Sequence, residues 1–296
     1  MSTRNPRGRQ LLVALPTLFT DDGELDLEGS ANVARLVAAS EADGAFVAGT
    51  TGEFLALSRE ERIALFTAQL EALAPKRLIG HIGAGSTREA IALMREGAAV
   101  GVTEFAALTP IYLPGTPTST FAHFAAISEV ADELGARVYV YLFQARSTTY
   151  VSPEELAAIA ALPRIVGTKI SGYDLDTVLG YRAATPSEFE VFTGNDADFP
   201  SIEAAGIDGV VSGVASVFPD TFDEMIRALG SGDADRVSAA HAEVLRTVAA
   251  IEGDIARMKF VIAERGLGGT ALRWAIDEPD EARRQDLLAA MKETAR

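Results

Sequence analysis

The chain has 296 residues, of which 48% are hydrophobic, 23% charged and 7% aromatic. That composition excludes intrinsic disorder and supplies a large buried core. Acidic residues outnumber basic ones 42 to 26, for a net charge of −16, so phosphate backbones and anionic lipid are repelled and no nucleic-acid or membrane partner is expected. With no cysteine, disulfides, a thiolate nucleophile and Cys-ligated metal centres are excluded, and a cytoplasmic location is the expectation.

Residues 1–10 hold Arg4, Arg7 and Arg9 without the apolar segment of a secretory signal, and read as a flexible tail. Beyond them, short β-branched and apolar runs alternate with longer segments of 3.6-residue period. Eight strands are predicted at 11–16, 44–49, 77–82, 102–108, 137–142, 165–170, 190–193 and 209–212. Ser58, Ser86 and Ser152 each precede a glutamate by three residues, which marks three helix starts, the last with Pro153 at its first position. The long uncharged stretch 105–128 contains Pro110, Pro114 and Pro117, so it does not read as a membrane span. After about residue 219 the strands stop, and helices are expected at 222–229, 233–251, 255–265 and 281–292. Eight strand–helix pairs predict a (β/α)₈ barrel over 11–229 and a helical appendage over 230–296, although an open doubly wound sheet shares much of the pattern. In a barrel the chemistry belongs where strands end and the next helices have yet to begin.

Only four basic residues are lysines, namely Lys76, Lys169, Lys259 and Lys292. Lys259 and Lys292 fall on helical segments where exposure is easy, and Lys76 follows a loop proline. Lys169 closes the apolar run Ile165-Val-Gly-Thr-Lys-Ile170 and should lie inside a barrel strand. Burial disfavours an ammonium and frees an amine to attack a carbonyl and form a Schiff base. A lysine snorkelling from a strand end or held in an ion pair is the other reading these residues allow.

Gly49-Thr-Thr-Gly-Glu53 follows the second strand. Its backbone N–H groups and the Thr50 and Thr51 hydroxyls could hold a small carboxylate, or simply satisfy a tight βα turn. Tyr139 and Tyr141 share one side of the fifth strand, and a phenol near a lysine amine can shuttle protons; packing aromatics would look the same in sequence. Arg146, in the loop that follows, has the fork for a substrate carboxylate, as any exposed structural arginine would.

In this order and spacing, GTTGE at Gly49 to Glu53, TP-I-Y at Thr109 to Tyr112, Tyr141, Lys169, GND at Gly194 to Asp196 and GVVSG at Gly209 to Gly213 resemble the dihydrodipicolinate synthase and N-acetylneuraminate lyase family of pyruvate-dependent class I aldolases. The resemblance covers nearly the whole chain. It implies a (β/α)₈ barrel with C-terminal helices, a homotetramer built as a dimer of dimers, and 2-oxo acid and aldehyde substrates. No cofactor is implied beyond a covalent Schiff base. By the same resemblance Lys169 is the Schiff-base lysine, and Tyr141, Thr51 and Tyr112 form a proton relay, with Tyr112 reaching a neighbouring subunit's site. Thr50, Thr51, Gly52 and nearby Val211 hold the pyruvyl carboxylate; Arg146 and Asp196 are further substrate contacts.

Departures from the family pattern bear on the substrate. Tyr141-Leu-Phe-Gln-Ala-Arg146 stands where Tyr-Asn-x-Pro is common, Phe54 follows GTTGE where lysine-pathway synthases often place serine, and Ala197 stands where sialic-acid lyases place glutamate. A 2-keto-3-deoxy sugar acid aldolase or dehydratase is therefore expected. The alternatives are a 4-hydroxy-tetrahydrodipicolinate synthase and a non-catalytic 2-oxo acid binder. His81, His123 and His241 lie on separate elements, and Asp196, Asp198 and Asp208 suit turns and caps, so no metal is expected.

Overall fold

The strands carry almost unbroken burial, as in Leu11, Leu12, Val13 and Ala14 of the first, because a parallel strand in a barrel is covered on both faces. The computed structural model describes residues 9–294, and all of the expected tail except Arg9 and Gln10 lies outside them. In chain order the elements are β1 (Gln10–Ala14), α1 (Leu27–Ala38), β2 (Gly44–Val47), α2 (Arg59–Leu73), β3 (Arg77–His81), α3 (Thr87–Ala99), β4 (Glu104–Leu108), α4 (Pro117–Leu134), β5 (Arg137–Leu142), α5 (Gln144–Ser147), α6 (Pro153–Ala160), β6 (Ile165–Ile170), α7 (Leu175–Ala184), β7 (Glu190–Thr193), β8 (Gly209–Ser212), α8 (Pro219–Ser231), α9 (Ala234–Ile251), α10 (Ile255–Glu264) and α11 (Glu281–Thr294). The eight strands close into a barrel in sequential order. This is the expected (β/α)₈ architecture with C-terminal helices, and not the open sheet.

The helix starts follow from the caps. Ser58 and Ser152 each accept from the N–H three residues on and are answered by Glu61 and Glu155, completing two capping boxes. Ser86 accepts from the Glu89 N–H. In the C-terminal region Asp233 and Asp254 cap α9 and α10, and each accepts two backbone N–H groups.

Two compact units are distinguishable. One holds Gln10 and Leu78–Val211; the other holds Leu11–Arg77 and the chain from Ser212 onward. In the first unit, β4, β5, β6 and β7 pair successively in parallel, with Tyr139 opposite Gly167 and Tyr141 opposite Lys169. Gly167 has to be small, since a Cβ there would lie 2.5 Å from the Glu190 carbonyl oxygen and 2.7 Å from the Tyr139 ring.

The N-terminal end of this sheet carries a polar plug that the sequence reading did not foresee. Gln10, Glu104, Arg137 and Glu190 are the first residues of β1, β4, β5 and β7. Arg137 pairs with Glu190 at 3.1 Å and with Glu104 at 3.7 Å. The buried Tyr139 hydroxyl donates to Glu190, lies 3.2 Å from a Glu104 carboxylate oxygen, and accepts from Arg137 at 3.1 Å. Tyr139 and Tyr141 do lie on one side of β5, but their surroundings differ: Tyr139 belongs to this ionic layer, and Tyr141 lies two residues, or about 6.6 Å, closer to the C-terminal end. Among the described residues no helix is long and apolar enough to cross a membrane.

Candidate active site

At the C-terminal end of β6, Lys169 is 7% exposed, and its Nζ stands 4.4 Å from the centre of the Tyr141 ring. The ladder makes this meeting obligatory, because Tyr141 and Lys169 are register partners on adjacent parallel strands, with Phe192 of β7 on the other flank of Lys169. Tyr141 is 1% exposed. Its ring meets the buried His81 edge-to-face at 5.8 Å and the Phe143 ring at 6.1 Å. An amine in this position faces aromatic carbon in a largely dry setting, which suits attack on a carbonyl.

The loop after β5, where the family's Asn and Pro are missing, forms the single helical turn α5, ended by Thr148 at φ 66°. Its shape is fixed from below by Thr109, whose hydroxyl donates to Ser147 Oγ at 2.8 Å, and by Thr149, whose hydroxyl donates to the Pro110 carbonyl at 2.6 Å. Tyr173 donates to Gln144 Oε1 at 2.8 Å. Arg146 is exposed on this turn, with its guanidinium 6.0 Å from the Phe143 ring centre. In the same unit Val211 and Asp196 are buried, and Tyr112 is 88% exposed at φ 69°.

In the second unit the Gly49-to-Glu53 turn folds on itself. Gly52 and Phe54 donate their N–H groups to the Gly49 carbonyl at 3.1 and 3.3 Å, and Glu53 donates to the Thr50 carbonyl at 3.1 Å. Those three N–H groups therefore serve the turn. Gly52 is required by space, because a Cβ would meet the Ala48 Cα and Thr17 Oγ1, each at 3.0 Å. Thr51 Oγ1 would lie 3.6 Å from a Cβ on Gly213, so Gly213 lies against the turn.

Lys259 corrects an expectation. It is completely buried, not exposed on its helix, and its Nζ donates to the equally buried Glu53 at 2.6 Å and to the Ala271 carbonyl at 2.7 Å. Burial pushes its ammonium below the ordinary lysine range, against the pull of Glu53. The signal was present in the sequence: a lone lysine in Ile255-Ala-Arg-Met-Lys-Phe-Val-Ile262, apolar on nearly every face, requires a buried carboxylate. Arg273 pairs in two-pronged fashion with Glu61 at 2.7 and 2.8 Å, holding that carboxyl below the usual range.

His81 ends β3, while His123 and His241 lie on α4 and α9. Among the described residues no group of three or more His, Cys, Asp or Glu side chains is arranged to hold a metal ion.

The profile of the dihydrodipicolinate synthetase family matches residues 7–294. A 4-hydroxy-tetrahydrodipicolinate synthase of Moorella thermoacetica is 30% identical over 96% of this chain and 98% of its own length. One of Listeria welshimeri is 35% identical over 70% of each chain. The crystal structure of a dihydrodipicolinate synthase from Thermotoga maritima superposes with a TM-score of 0.89 at 28% identity, covering 97% of this chain and 98% of that one. With the barrel, the ordered motifs and a match of this extent, the chain belongs to the dihydrodipicolinate synthetase family, whose members are lyases.

Proposed function

We propose that the chain is a Schiff-base-forming lyase acting on pyruvate or a related 2-oxo acid, with Lys169 as its nucleophile. The supporting observation is the buried Lys169 amine against Tyr141 at the C-terminal end of β6. Lys169 Nζ attacks C2 of the oxo acid to give a carbinolamine. Tyr141, with Thr51 and a neighbouring subunit's Tyr112 as relay, delivers a proton to the departing hydroxyl, and water leaves an iminium. The iminium draws electrons from C3, so loss of a C3 proton gives an enamine. That enamine adds to an aldehyde, or the reverse step releases one, or a β-hydroxyl is expelled as water. The protonated imine nitrogen is the electron sink, so the chemistry calls for no further cofactor. Thr50 and Thr51 hold the carboxylate while Gly52 and Val211 shape its seat, and Asp196 and Arg146 serve the distal end of the substrate.

Within this chemistry the reading we favour is a 2-keto-3-deoxy sugar acid aldolase or dehydratase, acting as a cytoplasmic homotetramer in which the exposed Tyr112 is covered by a second copy. Phe54, buried where synthases often place serine, and the α5 turn support it. The second reading, a 4-hydroxy-tetrahydrodipicolinate synthase, is favoured by Arg146 and by the names of the relatives. The test is incubation with pyruvate and borohydride followed by intact mass and peptide mapping. A reduced pyruvyl adduct on Lys169, lost in Lys169→Ala, is expected; its absence overturns the mechanism. Turnover of 2-keto-3-deoxy acids then separates the two readings, and adduct formation without turnover of any aldehyde or sugar acid leaves a 2-oxo acid binder.

A further inference from the structure

Glu53 ends the turn that carries Thr50 and Thr51, and its side chain has no solvent exposure. Both of its oxygens are engaged from the C-terminal region: Oε1 accepts from Lys259 Nζ at 2.6 Å, and Oε2 accepts the N–H groups of Arg273 at 3.0 Å and Trp274 at 2.9 Å. Phe19 covers the cluster, its ring centre 4.3 Å from Lys259 Nζ and 4.4 Å from the Arg273 guanidinium. Arg273 also ties the carbonyls of Gly23 and Ala56 to itself at 2.8 and 3.1 Å.

A buried ion pair is a poor device for stability, since apolar residues of the same volume avoid the desolvation of two charges. What this one does fix is backbone. Ala48 and Glu53 flank the turn at φ 52° and 51°, left-handed conformations that residues with a Cβ hold only where their surroundings over-determine them. Three donors converging on one carboxylate supply that determination at the Glu53 end.

We infer that Glu53 is a positioning residue for the carboxylate-holding turn, locked by Lys259 of α10 and by the backbone N–H groups of Arg273 and Trp274, so that residues 255–274 are a working part of the substrate site. The inference rests on the reading that Thr50 and Thr51 hold the substrate carboxylate.

Glu53→Gln keeps the volume but sets an NH₂ against either an ammonium or two backbone N–H groups. The half-saturating pyruvate concentration for borohydride trapping is expected to rise about ten- to hundredfold, as displaced binding groups do, while saturating pyruvate still labels Lys169 fully. The double variant Glu53→Gln/Lys259→Met, which removes both buried charges, shows the same rise. Lys76→Met, which frees the Ser40 and Ala42 carbonyls of the same unit, loses stability without altering half-saturation. A folded Glu53 variant that traps pyruvate at the wild-type concentration overturns the inference. Unmutated protein provides a second measure: because coupling between sites is reciprocal, the reduced adduct slows amide hydrogen exchange at Arg273 and Trp274, and unchanged exchange there is equally adverse. Wild-type protein that forms no adduct at all overturns the Schiff-base reading instead. The lock is then read from amide exchange at residues 50–53, which Glu53→Gln accelerates; exchange at the wild-type rate counts against it.

Discussion

Lys169 and Tyr141 are register partners across the β5–β6 ladder, and the lysine nitrogen lies 4.4 Å from the centre of the tyrosine ring. In the proposed mechanism the ring and the phenolic hydroxyl have separable roles, one covering the amine and the other moving protons. Tyr141→Phe keeps the first and deletes the second. Exchange of pyruvate C3 protons with deuterated solvent, followed by NMR, is expected to slow by about 10²- to 10⁴-fold in this variant, the usual worth of a positioned acid–base group. Half-saturation by pyruvate changes little. Exchange at the wild-type rate would remove the phenol from the reaction.

The opposite end of the strands carries charge for a different purpose. Arg137, Glu104, Glu190 and Tyr139 form one network at the strand starts, with Glu190 buried. Glu190→Leu strips the Arg137 guanidinium and the Tyr139 hydroxyl of their shared partner. Removing one member of a buried pair costs about 3 kcal/mol, which urea denaturation would read as a lowered midpoint. Labelling of Lys169 by pyruvate in the folded protein stays at the wild-type rate. A stability change below about 0.5 kcal/mol, the level of ordinary surface substitutions, would contradict the network's role.

The contrast between the two ends shows what a single sequence exposes. All eight strands were legible because burial on both faces leaves runs such as Gly209-Val-Val-Ser212 with no polar alternation to confuse them. Lys169 was legible for the same reason, as a charge in the middle of such a run. Lys259 was misread although the apolar run around it signals burial, because its partner Glu53 lies 206 positions away and nothing local identifies a pairing of that range. The strand-start charges were overlooked because an ionic residue at the end of a strand looks like a solvated edge until closure of the barrel turns it inward. The α5 turn escaped notice for lack of length: four residues carry no periodicity.

His123 makes the fold sensitive to acid. It is buried on α4 with Thr87 Oγ1 2.8 Å from Nδ1, and burial holds its pKa at about 4, below the ordinary 6.5. Between those values the unfolded chain binds a proton that the folded chain refuses, so this contribution is complete above about pH 6.5 and drains away as the pH falls toward 4. Between pH 7 and pH 5 the loss from this residue is about 2 kcal/mol. His123→Gln, which cannot titrate, should show a correspondingly flatter dependence of its urea midpoint over that range, and an unaltered slope would place the acid sensitivity elsewhere.

In the proposed reaction Arg146 bears on which partner aldehyde the site accepts. It is exposed on the α5 turn, and the Phe143 ring, its centre 6.0 Å away, backs its guanidinium. A guanidinium so placed recognises an anionic group through charge-assisted hydrogen bonds, which are worth about 1.5–3 kcal/mol at most sites and less where water competes. Arg146→Ala is therefore expected to raise KM about tenfold for aldehydes that carry a carboxylate, to leave neutral polyhydroxy aldehydes unaffected, and to leave pyruvate trapping on Lys169 unchanged. Steady-state condensation rates across a paired set of charged and neutral aldehydes measure this directly. Strong turnover of carboxylated aldehydes that collapses in the variant would favour the synthase reading. Turnover confined to neutral sugar aldehydes, indifferent to Arg146, would favour the sugar-acid aldolase and leave the arginine a role in the shape of the loop.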